Sequence, residues 1–122
     1  SSKTGKISAL AFNYPKEYVE RIPTASDINK YMNASTKTID INLNGLKKAT
    51  EFVIEILDNE SGNIKPYFDK IGSPRSPNRQ TIADLKMKAY QTKKFVLKAD
   101  KKGCLHIQLE LSPWACALIK EK

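Results

Sequence analysis

The chain has 122 residues, and its 21 Lys and Arg residues against 13 Asp and Glu residues give a formal net charge of +8. This length fits a single domain over residues 1–122, and a hydrophobic content of 40% supports a buried core, which excludes disorder as the main state. No stretch approaches the roughly 20 apolar residues of a membrane-spanning helix, so no membrane partner is expected.

The first half of the chain reads as strands separated by one long irregular segment. The apolar run Ile7–Tyr14 predicts a buried strand, and Lys16–Ser35 is expected to be a loop with at most one helical turn. Strict alternation predicts a strand at Lys37–Leu43, closed by the turn dipeptide Asn44–Gly45, and the next strand covers Glu51–Leu57.

Two segments in the middle of the chain have helical rather than strand periodicity. Asn63–Ile71 spaces its apolar residues for a short helix, with Pro66 in the first turn, where a missing N–H is harmless. Asn78 has the features of an N-cap for a second helix that runs to Ala89.

The last part of the chain returns to strand periodicity. Phe95–Ala99 predicts a strand joined by a tight turn to Leu105–Leu111, whose leucines and isoleucine alternate with polar residues. Ser112–Pro113 is expected to turn the chain into Trp114–Lys120, so that the last two strands pair as a hairpin. These elements together predict a mainly β fold, an antiparallel β-sandwich with two short helices.

The two cysteines, Cys104 and Cys116, would lie several positions apart in such a hairpin, so a disulfide is not expected. Reduced cysteines are typical of a cytoplasmic protein. With neither a CxxC pair nor a second histidine beside His106, no metal site is expected.

Candidate catalytic residues do not form a recognisable constellation. Glu51 and Glu55 would lie about 13 Å apart on one strand, which is too far for the paired carboxylates of a glycosidase. His106 alternates with apolar neighbours and is expected on a polar strand face. The glycines are isolated at turns, so no phosphate-binding loop and no cofactor are expected. The sequence therefore predicts neither catalytic nor cofactor-binding residues.

Two binding functions stay open. Tyr14, Tyr18 and Tyr31, in or beside the irregular segment, form a candidate ligand surface for carbohydrate, although a structural role is the alternative for each. The positive charge would suit a nucleic-acid-binding module. Nucleic acid is the less expected partner, because only three of the basic residues are arginines and the lysines are spread along the chain.

Four segments resemble a known family. Ile56–Asn63 leading into Tyr67–Pro74, the closing segment Leu109–Ile119 and the opening Ala9–Tyr14 resemble the C-terminal region of glycoside hydrolase family 39, which contains β-xylosidases. The resemblance covers about two thirds of the chain, and it departs from the family at Ser61–Gly62, where a histidine commonly precedes the asparagine.

The resemblance implies a non-catalytic C-terminal accessory domain whose intramolecular partner is a TIM barrel that carries the catalytic glutamates. No catalytic residue transfers to this chain, because none of the barrel is present. Since the chain opens at Ser1 and its first methionine is Met32, we expect a piece of a longer protein; removal of a start methionine before Ser1 is the alternative. Similar regions also follow AraC-type DNA-binding domains in bacterial regulators, so a sugar-responsive transcription regulator is an alternative parent.

Overall fold

The structure is a computed structural model that describes residues 5–18 and 20–122. The strands are β1 (Ser8–Phe12), β2 (Lys37–Leu43), β3 (Glu51–Leu57), β4 (Lys93–Lys98), β5 (Leu105–Leu111) and β6 (Cys116–Glu121). The helices are α1 (Ala25–Met32), α2 (Lys65–Lys70) and α3 (Arg79–Ala89), and a short 3-10 turn covers Lys16–Tyr18.

The strands form two antiparallel sheets. The larger sheet has the order β1-β6-β3-β4, and the smaller sheet pairs β2 with β5, so that Ile39 lies opposite Leu109. This arrangement confirms the predicted mainly β class and a small antiparallel sandwich.

The core lies between the inner faces of the two sheets, and β5 contributes most to it. Its residues alternate strictly between buried and exposed, and Ile107 and Leu111 have no exposed surface. They pack in one cluster with Phe52 and Ile54 of β3 and Ile119 of β6. Burial of each such side chain stabilises the fold by about 1.5–3 kcal/mol, which explains why strict alternation identified this strand correctly.

The predicted C-terminal hairpin is wrong. β5 pairs with β2 in one sheet, whereas β6 pairs with β1 and β3 in the other, so the segment between Leu111 and Cys116 carries the chain across the sandwich. A tight turn closed by the Ala115 N–H and the Ser112 carbonyl makes this crossing, with Trp114 at φ 64°. Both a hairpin and a crossing bury one face of each strand, so alternation alone does not distinguish them.

Two further predictions were based on this hairpin or on its tight turns, and the structure corrects both. The strand at Lys93–Lys98 pairs with β3, not with β5, because the chain crosses between sheets at that turn as well. The hairpin register used to separate the cysteines is also wrong. Cys104 and Cys116 are nevertheless free thiols, and they lie beyond opposite ends of β5.

The described residues hold three α-helices where two were predicted. α1 lies inside the segment expected to be a loop with at most one helical turn. Its N-terminus carries a capping box, in which the Thr24 hydroxyl accepts from the Asp27 N–H and the Asp27 carboxylate accepts from the Thr24 N–H. The two predicted helices are confirmed: α2 is slightly shorter than Asn63–Ile71, and α3 ends at Ala89 as predicted, with Asn78 as its N-cap through a bond from the Thr81 N–H at 2.8 Å.

The first strand is covered on one face only. β1 is an edge strand that turns Ala9 and Ala11 toward the core, while Leu10 and Phe12 are 62% and 60% exposed. The expectation of a buried strand is therefore met for the inner face alone. No helix within the described ranges is long and apolar enough to cross a membrane.

Candidate functional site: the Trp114 cluster

Three tyrosines converge on a single tryptophan at one end of the sandwich. The rings of Tyr14 and Tyr31 meet Trp114 edge to face at centroid distances of 5.1 and 5.2 Å, and Tyr18 stacks on it at 6.1 Å. We call Trp114, Tyr14, Tyr18 and Tyr31 the Trp114 cluster. The structure thus brings together all three tyrosines that the sequence nominated as a candidate ligand surface.

Four different parts of the chain supply this cluster. Tyr14 follows β1, Tyr18 ends the 3-10 turn, Tyr31 lies on α1, and Trp114 occupies the crossing between β5 and β6. Trp114 is held at both ends, because its backbone N–H donates to the Asn13 carbonyl at 3.0 Å and its indole N–H donates to the Ile28 carbonyl at 3.2 Å. The cluster therefore fastens the segment 13–35 to the sandwich.

A buried asparagine sits beneath the cluster. Asn13 is 1% exposed, and its side-chain amide donates to the Leu111 carbonyl at 2.9 Å while its oxygen accepts from the Tyr31 hydroxyl at 2.8 Å. Its backbone N–H donates to the Ala115 carbonyl at 2.9 Å. These bonds satisfy a polar group that would otherwise destabilise the interior.

Tyr18 is enclosed by its neighbours. One of its faces stacks on Trp114, and the Arg21 guanidinium carbon lies 4.6 Å from its ring centroid, so Tyr18 is only 7% exposed. Its hydroxyl donates to Asp27 at 3.2 Å. Such a ring packs structurally and leaves little area for a stacked ligand.

An ion pair closes the outer side of the cluster. Arg21 donates to both oxygens of Asp27 at 2.8 and 3.1 Å, a bidentate geometry. The hydrogen bond from Arg21, followed by those from Thr24, holds the pKa of the Asp27 carboxyl well below its ordinary value. Asp27 is therefore charged at any physiological pH, and it links the cap of α1 to the hydroxyl of Tyr18.

An open groove of about 380 Å³ lies beside the cluster. It is lined by Tyr14, Tyr18, Glu20, Arg21, Ile22 and Pro23. Tyr14 and Tyr18 thus border the groove, whereas Tyr31 packs on Trp114 and bonds to Asn13 without lining it.

The glutamates of β3 sit in ion pairs on the outer face of the larger sheet. Glu51 accepts from Lys98 at 2.8 Å and from Lys122 at 3.0 Å, and these bonds lower the pKa of Glu51 to about 2. Hydrogen bonds from Thr92 and then from Lys94 lower the pKa of Glu55 as well. A glycosidase general acid needs a raised pKa, so both groups are shifted in the opposite direction.

Among the described residues, His106 is not part of a metal site. His106 lies on the exposed face of β5, as predicted, with its Nδ1 2.8 Å from the Asn42 side-chain oxygen. Across residues 5–18 and 20–122, no group of three or more His, Cys, Asp or Glu side chains could hold a metal ion.

Sequence reasoning missed the centre of the site. It assigned Trp114 to a core hairpin and gave no role to Asn13, because these two residues make contacts with parts of the chain that are distant in sequence. It also gave no role to Arg21 or Asp27, although their ion pair is local. One local signal was present: Thr24 and Asp27 have the spacing of a capping box, which indicates the start of a helix.

Comparison with solved structures places the fold beside two glycosidases. A GH39 enzyme from Xanthomonas axonopodis pv. citri matches all of this chain with a TM-score of 0.69 at 9% identity. A monomeric β-xylosidase from Caulobacter crescentus CB15 matches 96% of it with a TM-score of 0.58 at 11% identity. At these identities the likeness shows the shared fold.

The match covers about a quarter of each glycosidase, since this chain corresponds to 24% of either solved chain. No protein-family model matches the sequence. No curated protein matches it either.

Proposed function

We propose that this chain is a non-catalytic accessory β-sandwich domain, the C-terminal domain of a β-xylosidase-like protein of glycoside hydrolase family 39. Its role is to pack on a catalytic TIM barrel of the same polypeptide and to border the sugar cleft of that barrel. One observation carries this proposal: the fold matches over the whole chain, yet it accounts for only 24% of two glycosidase chains.

The state of the carboxyl groups supports a non-catalytic role. The pKa of each of Glu51, Glu55, Asp58 and Asp69 is lowered, and each accepts a hydrogen bond from a lysine. Ion-paired carboxylates with a lowered pKa are charged near neutral pH, whereas glycoside hydrolysis needs one carboxyl group that stays protonated there.

The test of this proposal has two parts. The 122-residue chain should give no turnover of aryl xylosides, and hydrolysis that a single Glu51→Gln or Glu55→Gln change abolishes would contradict a non-catalytic role. The complete polypeptide encoded by the gene should contain a barrel whose melting temperature falls when residues 1–122 are deleted. A gene without a barrel, or a barrel whose melting is unchanged by the deletion, would refute the accessory role.

The parent is cytoplasmic in this proposal, because both cysteines are free thiols. A regulator is the alternative parent, in which a helix-turn-helix domain lies outside this chain and the barrel senses sugar. The coding sequence next to residues 1–122 distinguishes the two parents, since the regulator carries a DNA-binding domain.

We also propose carbohydrate binding in the groove beside the Trp114 cluster. The half-buried ring of Tyr14 borders the groove next to Arg21, and sugars stack on aromatic rings while their hydroxyl groups bond to polar side chains. Since Trp114 is the one tryptophan of the chain and touches the ring of Tyr14, its fluorescence should report binding of xylo-oligosaccharides.

The matched variants for this second proposal are Tyr14→Ala and Tyr90→Ala. Tyr90 is 81% exposed and follows α3, outside the cluster, so its removal should leave the response intact, whereas removal of Tyr14 should abolish it. Equal responses in the two variants, or no fluorescence change in the unaltered chain, would argue against a sugar site here.

A further inference from the structure

The outer face of the larger sheet has an apolar patch that the sandwich itself does not need. Antiparallel sheets of this kind normally turn their apolar residues inward and their polar residues toward water. Here the outward-facing positions include a set of apolar residues that we call the outer apolar face: Leu10, Phe12, Val53, Leu57, Val96 and Leu118.

The strand register places Leu10, Phe12, Leu57 and Leu118 in two adjacent rows, while Val53 and Val96 lie in a third row beside Lys120. Leu10 is the cross-strand neighbour of Leu118, and Phe12 and Leu57 flank Cys116 from either side. Directly paired side chains in a sheet are within contact distance, so these residues form adjacent rows across three strands. Contiguous apolar surface of this kind marks an interaction site.

In β1 the small residues face the core and the large apolar residues face outward, which is the reverse of the usual pattern for a strand with one open face. Its inward positions are the small Ala9 and Ala11, whereas its outward positions are the large Leu10 and Phe12, which are 62% and 60% exposed. Strands covered on both faces have nearly continuous apolar sequences, and β1 has such a sequence while one of its faces is open. The strand therefore has the composition of one that is covered by a further layer.

A basic depression of about 680 Å³ adjoins the patch on the same sheet face. Lys6, Lys120 and Lys122 line it with Val53 and Leu118. The carboxylates nearby have partners within the chain, because Glu55 accepts from Lys94 at 3.0 Å and Glu121 accepts from the Ile7 N–H at 2.9 Å.

One of these lysines has its charge available for a partner. The Lys120 ammonium group forms no hydrogen bond or ion pair with any residue in the described ranges. Along β6, Leu118 lies on the same face between Lys120 and Cys116, which is in the row at the other end of the patch. The face thus combines an apolar area with a positive end.

We propose that the outer apolar face is the surface that docks on the catalytic barrel, and that the barrel presents an apolar area with carboxylates placed over Lys120. This inference rests on the proposed accessory function and names its contact surface. A second copy of the chain fits less well, because the glutamates of this face, Glu51 and Glu55, already pair with lysines of their own chain and are not available for Lys120 of a second copy.

The chain carries its own reporter of this contact. Cys116 lies on the outer face between Phe12 and Leu57, whereas Cys104 is exposed just before β5 and outside the patch. Both are free thiols, so one labelling experiment with iodoacetamide followed by mass spectrometry measures a test site and a control site together.

The experiment compares the 122-residue chain with the complete polypeptide encoded by the gene. In the complete polypeptide, labelling of Cys116 should slow by about tenfold or more, because access then requires undocking, while Cys104 labels at the same rate in both proteins. A Leu10→Ser/Phe12→Ser double variant should restore the labelling of Cys116. The control Met87→Ser, which alters a 61% exposed residue on α3, should leave Cys116 protected.

A charge variant tests the basic end separately. Lys120→Glu should raise the labelling rate of Cys116 in the complete polypeptide, and the increase should shrink at high salt if carboxylates face Lys120. Far-UV circular dichroism of each variant in the 122-residue chain verifies that the sandwich is intact.

The possible failures are distinguishable. Equal labelling of Cys116 in both proteins would overturn the docking face. If the barrel still melts at a higher temperature with residues 1–122 attached, the accessory function would stand and only the docking face would be refuted. A gene product without a barrel, or without that stabilisation, would refute the accessory function and the docking partner together. Protection of Cys116 that grows with concentration in the 122-residue chain would assign the face to a second copy instead.

Discussion

The backbone of Trp114 gives an unusual expectation for two substitutions at one position. Its φ of 64° lies in the left-handed region, where a residue with a Cβ is strained by about 1–2 kcal/mol. Replacement by alanine keeps this strain, whereas replacement by glycine releases it. The order of stabilities should therefore be the reverse of that found in ordinary strands and helices, where glycine is the poorer residue.

The loss of the indole ring accounts for most of the expected decrease in stability. Trp114→Ala removes three ring contacts, each contributing about 0.5–1.5 kcal/mol beyond area burial, together with the bond from the indole N–H to Ile28. We expect the free energy of unfolding to fall by about 3 kcal/mol. For Trp114→Gly the free energy of unfolding should fall by about 1 kcal/mol less than for Trp114→Ala, since the relief of backbone strain outweighs the extra freedom of glycine in the unfolded chain.

Urea unfolding followed by far-UV circular dichroism measures both variants without a tryptophan signal, provided that the transitions are two-state with equal slopes. Trp114→Phe, which keeps an aromatic ring, serves as the matched control and should lie between the unaltered chain and Trp114→Ala. If Trp114→Gly is as unstable as Trp114→Ala, or less stable, the backbone at this position stores no strain. A loss below about 1 kcal/mol for Trp114→Ala would show that the Trp114 cluster does not anchor the segment 13–35.

Three further expectations follow from single sites. Asn13→Ala leaves the Tyr31 hydroxyl and a buried carbonyl without their partner, and it should lower the free energy of unfolding by about 2 kcal/mol in urea titrations; a change near zero would mean that water replaces the amide. Gly103→Ala should prevent stable folding, because its φ is 76° and an added Cβ would lie 2.2 Å from a backbone carbonyl oxygen; a melting temperature equal to that of the unaltered chain would contradict this close approach. The pKa of Glu51 is about 2 in the folded chain against 4.5 ordinarily, so its ion pair with Lys98 stabilises the fold above pH 4.5 and is lost as the pH falls toward 2. Melting temperatures measured from pH 6 to pH 2 should fall less steeply for Glu51→Gln, and parallel curves would refute the assignment.

Local alternation was sufficient to find the strands, because each strand buries one face on a common core. It identified β2, β3 and β5 with the bounds that the structure shows. It gave no information on which strand pairs with which. The crossing at 112–115 depends on the contact of Trp114 with residues 13–31, and those contacts come from parts of the chain distant in sequence.

The irregular segment shows a second limit of sequence patterns. α1 has only eight residues and buries none of them. Its apolar residues at helical spacing, Ile28, Tyr31 and Met32, therefore span little more than one turn, and the helix is held by its capping box and by Tyr31. The three tyrosines were predicted as a candidate ligand surface because they lie in or beside one irregular stretch of sequence; the structure brings them together, and the ligand role stays a prediction. Their common partner, Trp114, is about 80–100 residues away in the chain, and nothing local to it indicates the association.

The connection between β3 and β4 has a consequence for how this domain can vary. The two strands are direct neighbours, with Ile56 opposite Lys93, yet the chain between them makes an excursion through α2 and α3, and neither of these fully described helices contributes a buried residue. Closing so long a connection rather than a four-residue turn costs only about 2 kcal/mol of chain entropy. Natural selection can therefore lengthen, shorten or replace the excursion while the sandwich keeps its register, which makes it the part of the chain most open to evolutionary change.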